Sequence, residues 1–218
     1  VFDVIEQDVM FCQQFSQGMI FVDKCAIGKT YSALYLSRTL KNCFYVDASL
    51  CKTKILFARS LAQAIGIDGS GRYTDVKLRI RYALNALEKP IVIIDEAGDL
   101  EYNAFLDVKE YQNGTTNRCG WYMIGANGLR KKINDGIARE SVGYEEIFSR
   151  LSDSYSHVVP SGKDDQISFY RKLLTDVLSV NMSDQSKLNT IVNQCLTVST
   201  GNTITGLRRA EKLLILNS

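Results

Sequence analysis

The sequence predicts an α/β protein built around a parallel sheet, and three observations support this prediction. Apolar segments with strand character alternate with helical segments over the first 160 residues. A phosphate-binding loop motif occupies residues 23–30, between the first of these strands and a helix. A later apolar strand, 91–94, ends in two adjacent acids, Asp95 and Glu96. A loop and an acidic strand end in this order are typical of a domain that binds a nucleoside triphosphate.

The spacing of apolar residues predicts the order of the elements. The predicted strands are 19–23, 42–47, 91–94, 120–126 and 156–159. The predicted helices are 2–17, which precedes the first strand, and 31–40, 54–65, 75–88 and 103–111, which lie between strands. After Pro160 no comparable strand follows, and three helical stretches are predicted at about 164–179, 184–198 and 203–216. We therefore predict an α/β nucleotide-binding domain over 1–160 and a small helical domain over 161–218.

The loop departs from the pattern G-x-x-x-x-G-K-[ST] at one position, because Asp23 stands where the first glycine belongs. A residue other than glycine fits there if its φ angle is negative. A carboxylate at this position would also repel phosphate, but we expect binding to be retained. The helix N-terminus and the backbone N–H groups would hold phosphate, and Lys29 would reach its outer oxygens. The predicted nucleotide contacts are Lys24, Cys25, Ala26, Ile27, Gly28, Lys29, Thr30 and Tyr31.

The acidic strand end supplies the predicted chemistry. Four apolar residues after Pro90 are typical of a central strand that is covered on both faces. We expect Asp95 to meet the water shell of Mg²⁺, for which Thr30 also offers a hydroxyl. Glu96 would orient and deprotonate the attacking water. The alternative is an ordinary acidic start of a helix after a strand.

Three further residues are candidates for contact with the nucleotide. Asn127 follows the fourth strand, at the sheet edge where ligands bind in α/β proteins, and would contact the γ-phosphate or the water. Arg150 would reach a nucleotide on a neighbouring subunit, with Arg139 as its competitor. Arg208 would fold back onto the γ-phosphate, with Arg209 as the alternative. Each residue also has an ordinary interpretation, as a turn residue or as an exposed helix residue.

Composition excludes several classes of protein. The 218 residues carry a net charge of +2, so no general attraction to nucleic acid follows from the total. Six cysteines without a C-x-x-C pair, and a single histidine, argue against a zinc site and a disulfide framework. Reduced thiols, with neither a signal peptide nor a long apolar segment, predict a cytoplasmic protein without a membrane span. The chain begins at Val1 without a methionine, as a fragment would.

This ordered set of motifs resembles the AAA+ ATPases. Within them it is similar to the transposition ATPases of the Mu phage B protein and Tn7 C protein type, and archaeal Orc/Cdc6 initiators look similar too. By motif position Lys29, Thr30, Asp95, Glu96, Asn127, Arg150 and Arg208 inherit the Walker A, Walker B, sensor 1, finger and sensor 2 roles. The resemblance implies a five-stranded sheet of order 5-1-4-3-2 with a helical lid. It also implies slow hydrolysis of ATP with Mg²⁺, an ATP-dependent homo-oligomer, duplex DNA binding and a partner transposase that the ATPase regulates.

Two basic clusters are candidates for DNA contact. Lys52 and Lys54 follow the second strand, where the resembling proteins present basic groups to DNA. Arg130, Lys131 and Lys132 form the second cluster. Such contacts would go to phosphates and weaken with salt. Either cluster is otherwise a set of solvated charges on a helix.

Other functions stay open at this level. The first alternative is a STAND-type signalling ATPase, a nucleotide switch that binds proteins and not DNA. The second is a replication initiator or helicase loader. A small-molecule kinase would share the loop, but the asparagine and arginine positions fit it poorly. Asp23 also raises a variant of each, in which the nucleotide is bound but not hydrolysed.

Overall fold

A computed structural model describes residues 1–152, 154–196, 204 and 206–217. The strands are β1 (Gly18–Val22), β2 (Cys43–Asp47), β3 (Ile91–Asp95) and β4 (Gly120–Gly125). The helices are α1 (Phe2–Phe15), α2 (Lys29–Thr39), α3 (Lys54–Ile65), α4 (Tyr73–Ala86), α5 (Tyr102–Gly114), α6 (Asn127–Ala138), α7 (Tyr144–Leu151), α8 (Lys163–Asn181), α9 (Leu188–Leu196) and α10 (Leu207–Asn217). The chain forms two compact units, the first from Val1–Asp23 and Thr30–His157 and the second from Lys24–Lys29 and Val158–Ser218.

The first unit contains one parallel sheet with the strand order β1-β4-β3-β2. The α/β class and the relative order of these four strands are as predicted. Every residue of β3 is buried, as its apolar sequence predicts for a central strand. Helices cover the sheet, with α1 against β4 and α3 against β2. Because all strands are parallel, their carboxyl ends meet at one edge of the sheet. The polar residues of the candidate site that end or follow these strands lie at this edge.

The predicted fifth strand is wrong, since among the described residues the sheet has four strands. Ser156 alone forms a bridge, to Phe21 of β1. Its N–H donates to the Ile20 carbonyl and its carbonyl accepts from the Val22 N–H, both at 2.9 Å. The physical reason lies in the segment itself, where a serine and the exposed His157 follow one another. They offer no apolar face that further pairing would bury.

The sequence analysis also missed two helices of the first unit. The stretch between β4 and Ser152 forms α6 and α7, for which no helix bounds were predicted. A short 3-10 helix, Ala97–Asp99, follows β3. Both features matter for the site, because α6 begins at the carboxyl end of β4 and the 3-10 helix begins after Glu96.

In the second unit α8 packs against α9 and α10. The buried side chains of these helices are Tyr170, Leu174, Leu178, Ile191, Val192, Cys195 and Ala210. The predicted ends of two helices, near residues 198 and 203, lie outside the described residues. The predicted domain boundary after residue 160 and the role of a lid stay predictions. No described helix is long and apolar enough to cross a membrane.

Candidate nucleotide site

The phosphate-binding loop has the backbone conformation that its glycine suggests. Ala26 and Gly28 both have positive φ angles, 57° and 98°. Glycine adopts such angles without strain, whereas a side chain does so at a cost. Lys29 is 7% exposed, and its Nζ donates to the Lys24 carbonyl at 2.6 Å. The lysine side chain therefore folds back over its own loop, with its ammonium group at the loop backbone.

The loop is also held by the start of α10 within the second unit. The Leu207 N–H donates to the Ala26 carbonyl at 2.8 Å. Gly206 has a φ of 59°, and a Cβ atom there would lie 2.5 Å from the Ala26 oxygen. Only glycine allows this approach, so α10 begins directly after it. Arg208 then lies exposed in the first turn of α10, and its role at the γ-phosphate stays a prediction.

Asp23 occupies its position without the backbone strain that would demand glycine. Its φ angle is not positive, and the residue is buried, with 6% exposure. Its N–H donates to the Gly125 carbonyl at 3.3 Å, which extends the pairing of β1 with β4 by one step. The expectation that a residue other than glycine fits here is confirmed. Its effect on phosphate affinity stays a prediction.

The register of the sheet collects the polar strand ends at one edge. Asp47 at the end of β2 pairs with Asp95 at the end of β3. Val22, which precedes Asp23, pairs with Gly125 at the end of β4. Asn127 begins α6 just beyond and is exposed. The three predicted polar positions that follow β1, β3 and β4 thus lie at the same edge of the sheet.

Asp95 is the most deeply buried carboxylate of this edge, with 1% exposure. Its Oδ1 accepts from the Glu96 N–H at 2.9 Å, and its Oδ2 accepts from the Tyr45 hydroxyl at 3.1 Å. Both donors are neutral, and no ion pair joins Asp95 to a basic group among the described residues. A buried carboxylate is costly unless a cation compensates it. The Asp95 carboxylate, whose charge no described basic group compensates, therefore fits a site for a divalent cation that binds together with a ligand.

The residues present fit Mg²⁺ better than a metal held by the protein alone. No group of three or more histidine, cysteine or acidic side chains forms a metal cluster among the described residues. Mg²⁺ usually takes one or two protein oxygens and completes its shell with water and phosphate oxygens. The Thr30 hydroxyl would supply one such oxygen, and the Asp95 carboxylate would accept hydrogen bonds from the water shell of the ion.

Glu96 begins the turn that follows β3. Its φ and ψ angles, 48° and 39°, lie in the left-handed region. A residue with a side chain pays for this conformation, and such strain is concentrated at functional sites. The turn directs the chain into the 3-10 helix at once, and Glu96 is half-buried at the edge of the sheet while Asp95 is buried.

A family model described as an AAA domain matches residues 24–133, which include the loop, β2, β3, β4 and Asn127. The chain belongs to this AAA domain family. No curated protein sequence matches the chain.

Three solved structures show the same fold at low sequence identity. The Orc1 protein of Aeropyrum pernix, solved in complex with DNA, has a TM-score of 0.66 and 15% identity, and the match covers 96% of this chain and 58% of that one. Cdc6p of Pyrobaculum aerophilum has a TM-score of 0.61 and 13% identity, over 91% and 53% of the two chains. The ORC2 protein of Aeropyrum pernix, in ADPNP and ADP complexes, has a TM-score of 0.53 and 13% identity, over 94% and 63%. The chain spans less than two thirds of the length of each.

The AAA domain also contains a site residue that the sequence analysis missed. Tyr45 lies on β2 and its hydroxyl reaches Asp95 on the next strand. Burial, and then the charge of Asp95, raise the pKa of Tyr45 above its usual value, so the phenol keeps its proton and donates. Alternation along β2 places Tyr45 on the same face as Asp47. That pattern would have revealed it only if the neighbouring strand and the register had been known.

Of the two candidate finger arginines, Arg150 lies away from the carboxyl edge of the sheet. Arg150 is exposed on α7, and its carbonyl lies 3.1 Å from an ideal Cβ at Gly18, the first residue of β1. It therefore lies at the amino end of the sheet. Arg139 is exposed at the end of α6. A contact of Arg150 with a nucleotide of another subunit stays a prediction.

The first basic cluster is partly engaged. Lys52 forms an ion pair with Asp99 at 2.9 Å, which raises the pKa of Lys52. Lys52 also accepts a hydrogen bond from the Glu101 N–H at its carbonyl, 2.9 Å away. Lys54 is exposed, with its Nζ 5.2 Å from the centre of the Tyr73 ring. The loop after β2 is thus tied to the turn after β3.

The second basic cluster is divided by the structure. Arg130 lies over the Tyr155 ring at 5.2 Å and donates to the Val22 carbonyl at 3.4 Å. Lys132 donates to the carbonyls of Gly98, at 3.0 Å, and Leu100. Its partial burial lowers its pKa. Lys131 is the exposed member, so these contacts favour it over its neighbours for DNA binding.

Proposed function

We propose that this AAA domain binds ATP together with Mg²⁺ and hydrolyses it slowly. The observation that carries the proposal is the buried Asp95 carboxylate, which ends a central strand and has neutral hydrogen-bond donors as its partners. It is the next residue to Glu96, whose backbone is held in a strained conformation. The loop over residues 24–29 belongs to the same family match.

Each residue has a separate part in this reaction. The loop amides and Lys29 bind the phosphates, and Lys29 exchanges the Lys24 carbonyl for phosphate oxygens. Thr30 and Asp95 hold the metal ion. When bound, Mg²⁺ neutralises charge on the β- and γ-phosphate oxygens. Glu96 accepts a proton from the attacking water, and Asn127 orients that water.

Oligomerisation completes the proposed site. Arg150 lies at the amino end of the sheet, so it does not serve the nucleotide of its own subunit. In an oligomer it stabilises charge on the γ-phosphate of the next subunit. Arg208 folds back onto the γ-phosphate bound by its own subunit and reports the nucleotide state to α10.

The variant Glu96→Gln tests hydrolysis. The amide cannot accept the proton, so phosphate release falls about 10²- to 10⁴-fold while ATP affinity is retained. Glu101→Gln, an exposed glutamate that precedes α5, is the matched control and keeps full activity. Equal rates for Glu96→Gln and the native protein would overturn hydrolysis by this residue.

Cys25 provides a direct measure of nucleotide occupancy. It is exposed within the loop, whereas the other five cysteines are buried. ATP with Mg²⁺ should therefore slow the reaction of one thiol with a cysteine reagent, and Lys29→Ala should abolish this protection. Unchanged labelling at saturating ATP would show that the loop does not bind nucleotide.

We further propose that the ATP-bound form assembles on duplex DNA and regulates a transposase. Lys52, Lys54 and Lys131 supply phosphate contacts on this proposal, and the order of site motifs resembles that of transposition ATPases. Replication initiation is the second candidate, because the folds of Orc1 and Cdc6p match and Orc1 was solved with DNA. Assembly of the ATP-bound protein on DNA with a purified transposase, and separately with a replicative helicase, distinguishes the two.

Fluorescence anisotropy with labelled duplex DNA tests the DNA contacts, with ATP, with ADP and without nucleotide. Binding should require ATP and weaken steeply with salt. Asp99→Asn releases Lys52 from its ion pair and should tighten binding about two-fold at low salt. Lys41→Ala, which removes an exposed lysine outside both clusters, should leave affinity unchanged. Absence of binding under every condition would leave the ATPase proposal standing and remove DNA from it.

A further inference from the structure

The carboxylate of Asp95 is fixed at both of its oxygens. The Glu96 N–H holds Oδ1 at 2.9 Å, and the Tyr45 hydroxyl holds Oδ2 at 3.1 Å. The rotation of an aspartate about its Cβ–Cγ bond is broad, so one hydrogen bond leaves the carboxylate plane free to turn. A second donor at the other oxygen restricts that rotation. The backbone supplies the first donor at any residue, but the second depends on this particular tyrosine.

The sheet register makes the contact possible. Tyr45 pairs with Ile93, and Asp95 lies two residues further along β3. Tyr45 and Asp95 are therefore diagonal neighbours on adjacent parallel strands, and the long aromatic side chain brings its hydroxyl to 3.1 Å from Oδ2 of Asp95. A shorter hydroxyl residue such as serine would not span the distance. β2 is the outermost strand of the sheet, next to β3. The Tyr45 side chain therefore reaches from this outer strand towards the central strand that holds Asp95.

We propose that Tyr45 is a positioning residue, whose hydroxyl holds the Asp95 carboxylate in the orientation that binds the water shell of Mg²⁺ in the ATP complex. The inference rests on the proposed function of the site. Tyr45 touches neither the nucleotide nor the metal on this proposal, and it acts only through Asp95. Its effect is therefore confined to binding and turnover that depend on the metal.

The surroundings of Tyr45 allow a clean substitution. The residue is half-buried, and it lines an open cavity of about 300 Å³ together with Asp47, Leu50, Ser60 and Gln63. Tyr45→Phe retains the ring and its packing, and removes only the hydroxyl that reaches Asp95. A thermal melt of the variant should therefore lie close to that of the native protein.

The test compares ATP binding with and without the metal. Affinity for a fluorescent ATP analogue is measured in EDTA and over a Mg²⁺ titration, and Mn²⁺ binding to the ATP complex is followed by electron paramagnetic resonance. Tyr45→Phe should leave affinity in EDTA unchanged. It should raise the metal concentration for half-maximal binding and hydrolysis by about 10-fold, the lower end of the range for outer residues of metal sites.

Two controls separate positioning from general damage. Tyr82→Phe removes an exposed hydroxyl of α4 and should change neither quantity. In an Asp95→Asn background, Tyr45→Phe should cause no further rise in the metal requirement, because Tyr45 acts through that carboxylate.

The possible outcomes are distinct. Equal metal requirements for native protein and a folded Tyr45→Phe variant overturn the inference and leave the ATPase proposal intact. An equal loss of affinity in EDTA and in Mg²⁺ shows a structural role, and also overturns it. Native protein that binds no ATP overturns the proposed function itself, and the role of Tyr45 with it.

Discussion

Two buried aspartates of the first unit accept similar hydrogen bonds, but within the described part of the chain only one of them has a cation that compensates its negative charge. Asp95 at the end of β3 and Asp107 on α5 are 1% and 7% exposed, and each accepts a hydrogen bond from a tyrosine hydroxyl. Asp107 also pairs with Lys77 at 3.0 Å. No such cation pairs with Asp95 among the described residues. The fold thus compensates the charge that serves packing, and leaves open the charge at the edge where a metal and phosphates are proposed to bind.

Exchange of each aspartate for asparagine gives the largest expected effect. Asp95→Asn removes an uncompensated charge, so hydrolysis should fall about 100-fold while the free energy of unfolding without Mg²⁺ is not lowered. Asp107→Asn should lower the free energy of unfolding and leave hydrolysis unchanged, since it leaves Lys77 without its buried partner. Phosphate release and urea denaturation of both variants measure the contrast. Loss of stability in Asp95→Asn equal to that in Asp107→Asn would end the distinction.

Removal of the Lys77 ammonium group tests whether Asp107 depends on a compensating cation. Lys77→Met leaves the Asp107 charge buried, and should lower the free energy of unfolding by about 3 kcal/mol. Urea denaturation measures the loss. The matched control is Lys41→Met, whose ion pair with Glu88 is largely exposed and contributes little. Lys77→Met with native stability would show that Asp107 needs no cation, and the contrast with Asp95 would lose its meaning.

Substitution of Asp8 should have the smallest effect on stability. This aspartate is intermediate between Asp95 and Asp107, because it is only half-buried. It accepts from the Tyr122 hydroxyl at 2.9 Å, and burial raises its pKa against the opposing hydrogen bonds of Ser156 and Tyr122. The folded state therefore holds the proton more tightly than the unfolded state, and stability falls as pH rises through the raised pKa. Asp8→Asn keeps an acceptor without the charge. It should be more stable than the native protein at neutral pH, and the difference should vanish as pH falls below 3.8, the ordinary pKa of an aspartate.

A second variant at this position isolates the hydrogen bond. Asp8→Ala leaves the buried Tyr122 hydroxyl without its acceptor, which costs about 1–3 kcal/mol. Thermal melts of both variants between acidic and neutral pH measure the difference. Identical pH dependence in Asp8→Asn and the native protein would contradict the assignment of this carboxylate.

Sequence patterns were most informative where the backbone alone decides the structure. The loop was recognisable because Gly28 takes a positive φ angle and Lys29 follows it, and β3 was recognisable because a strand buried on both faces must be apolar. The fifth strand failed because one bridged residue, Ser156, has no run of paired neighbours. Local sequence does not reveal how many residues of a segment pair with a distant strand.

Side-chain partners were least accessible to sequence. Lys132 was one candidate for DNA contact within a basic cluster, and the sequence did not show that its amine donates to the Gly98 and Leu100 carbonyls. Tyr45 lies within the predicted strand 42–47 and was not named as a site residue. Each contact joins positions more than 30 residues apart, and only the packing of separate elements brings them together.

By itself the sequence determined the α/β class, the phosphate loop, the buried central strand and the acidic residues that end it. Periodicity, glycine conformation and burial act over a few neighbouring residues, so the local order of residues was enough to read them. The tertiary structure alone decided that Asp95 is held by Tyr45, that Gly206 must be a glycine because α10 approaches Ala26, and that Arg150 lies at the amino end of the sheet. These are contacts between distant segments, and sheet register and helix packing set them.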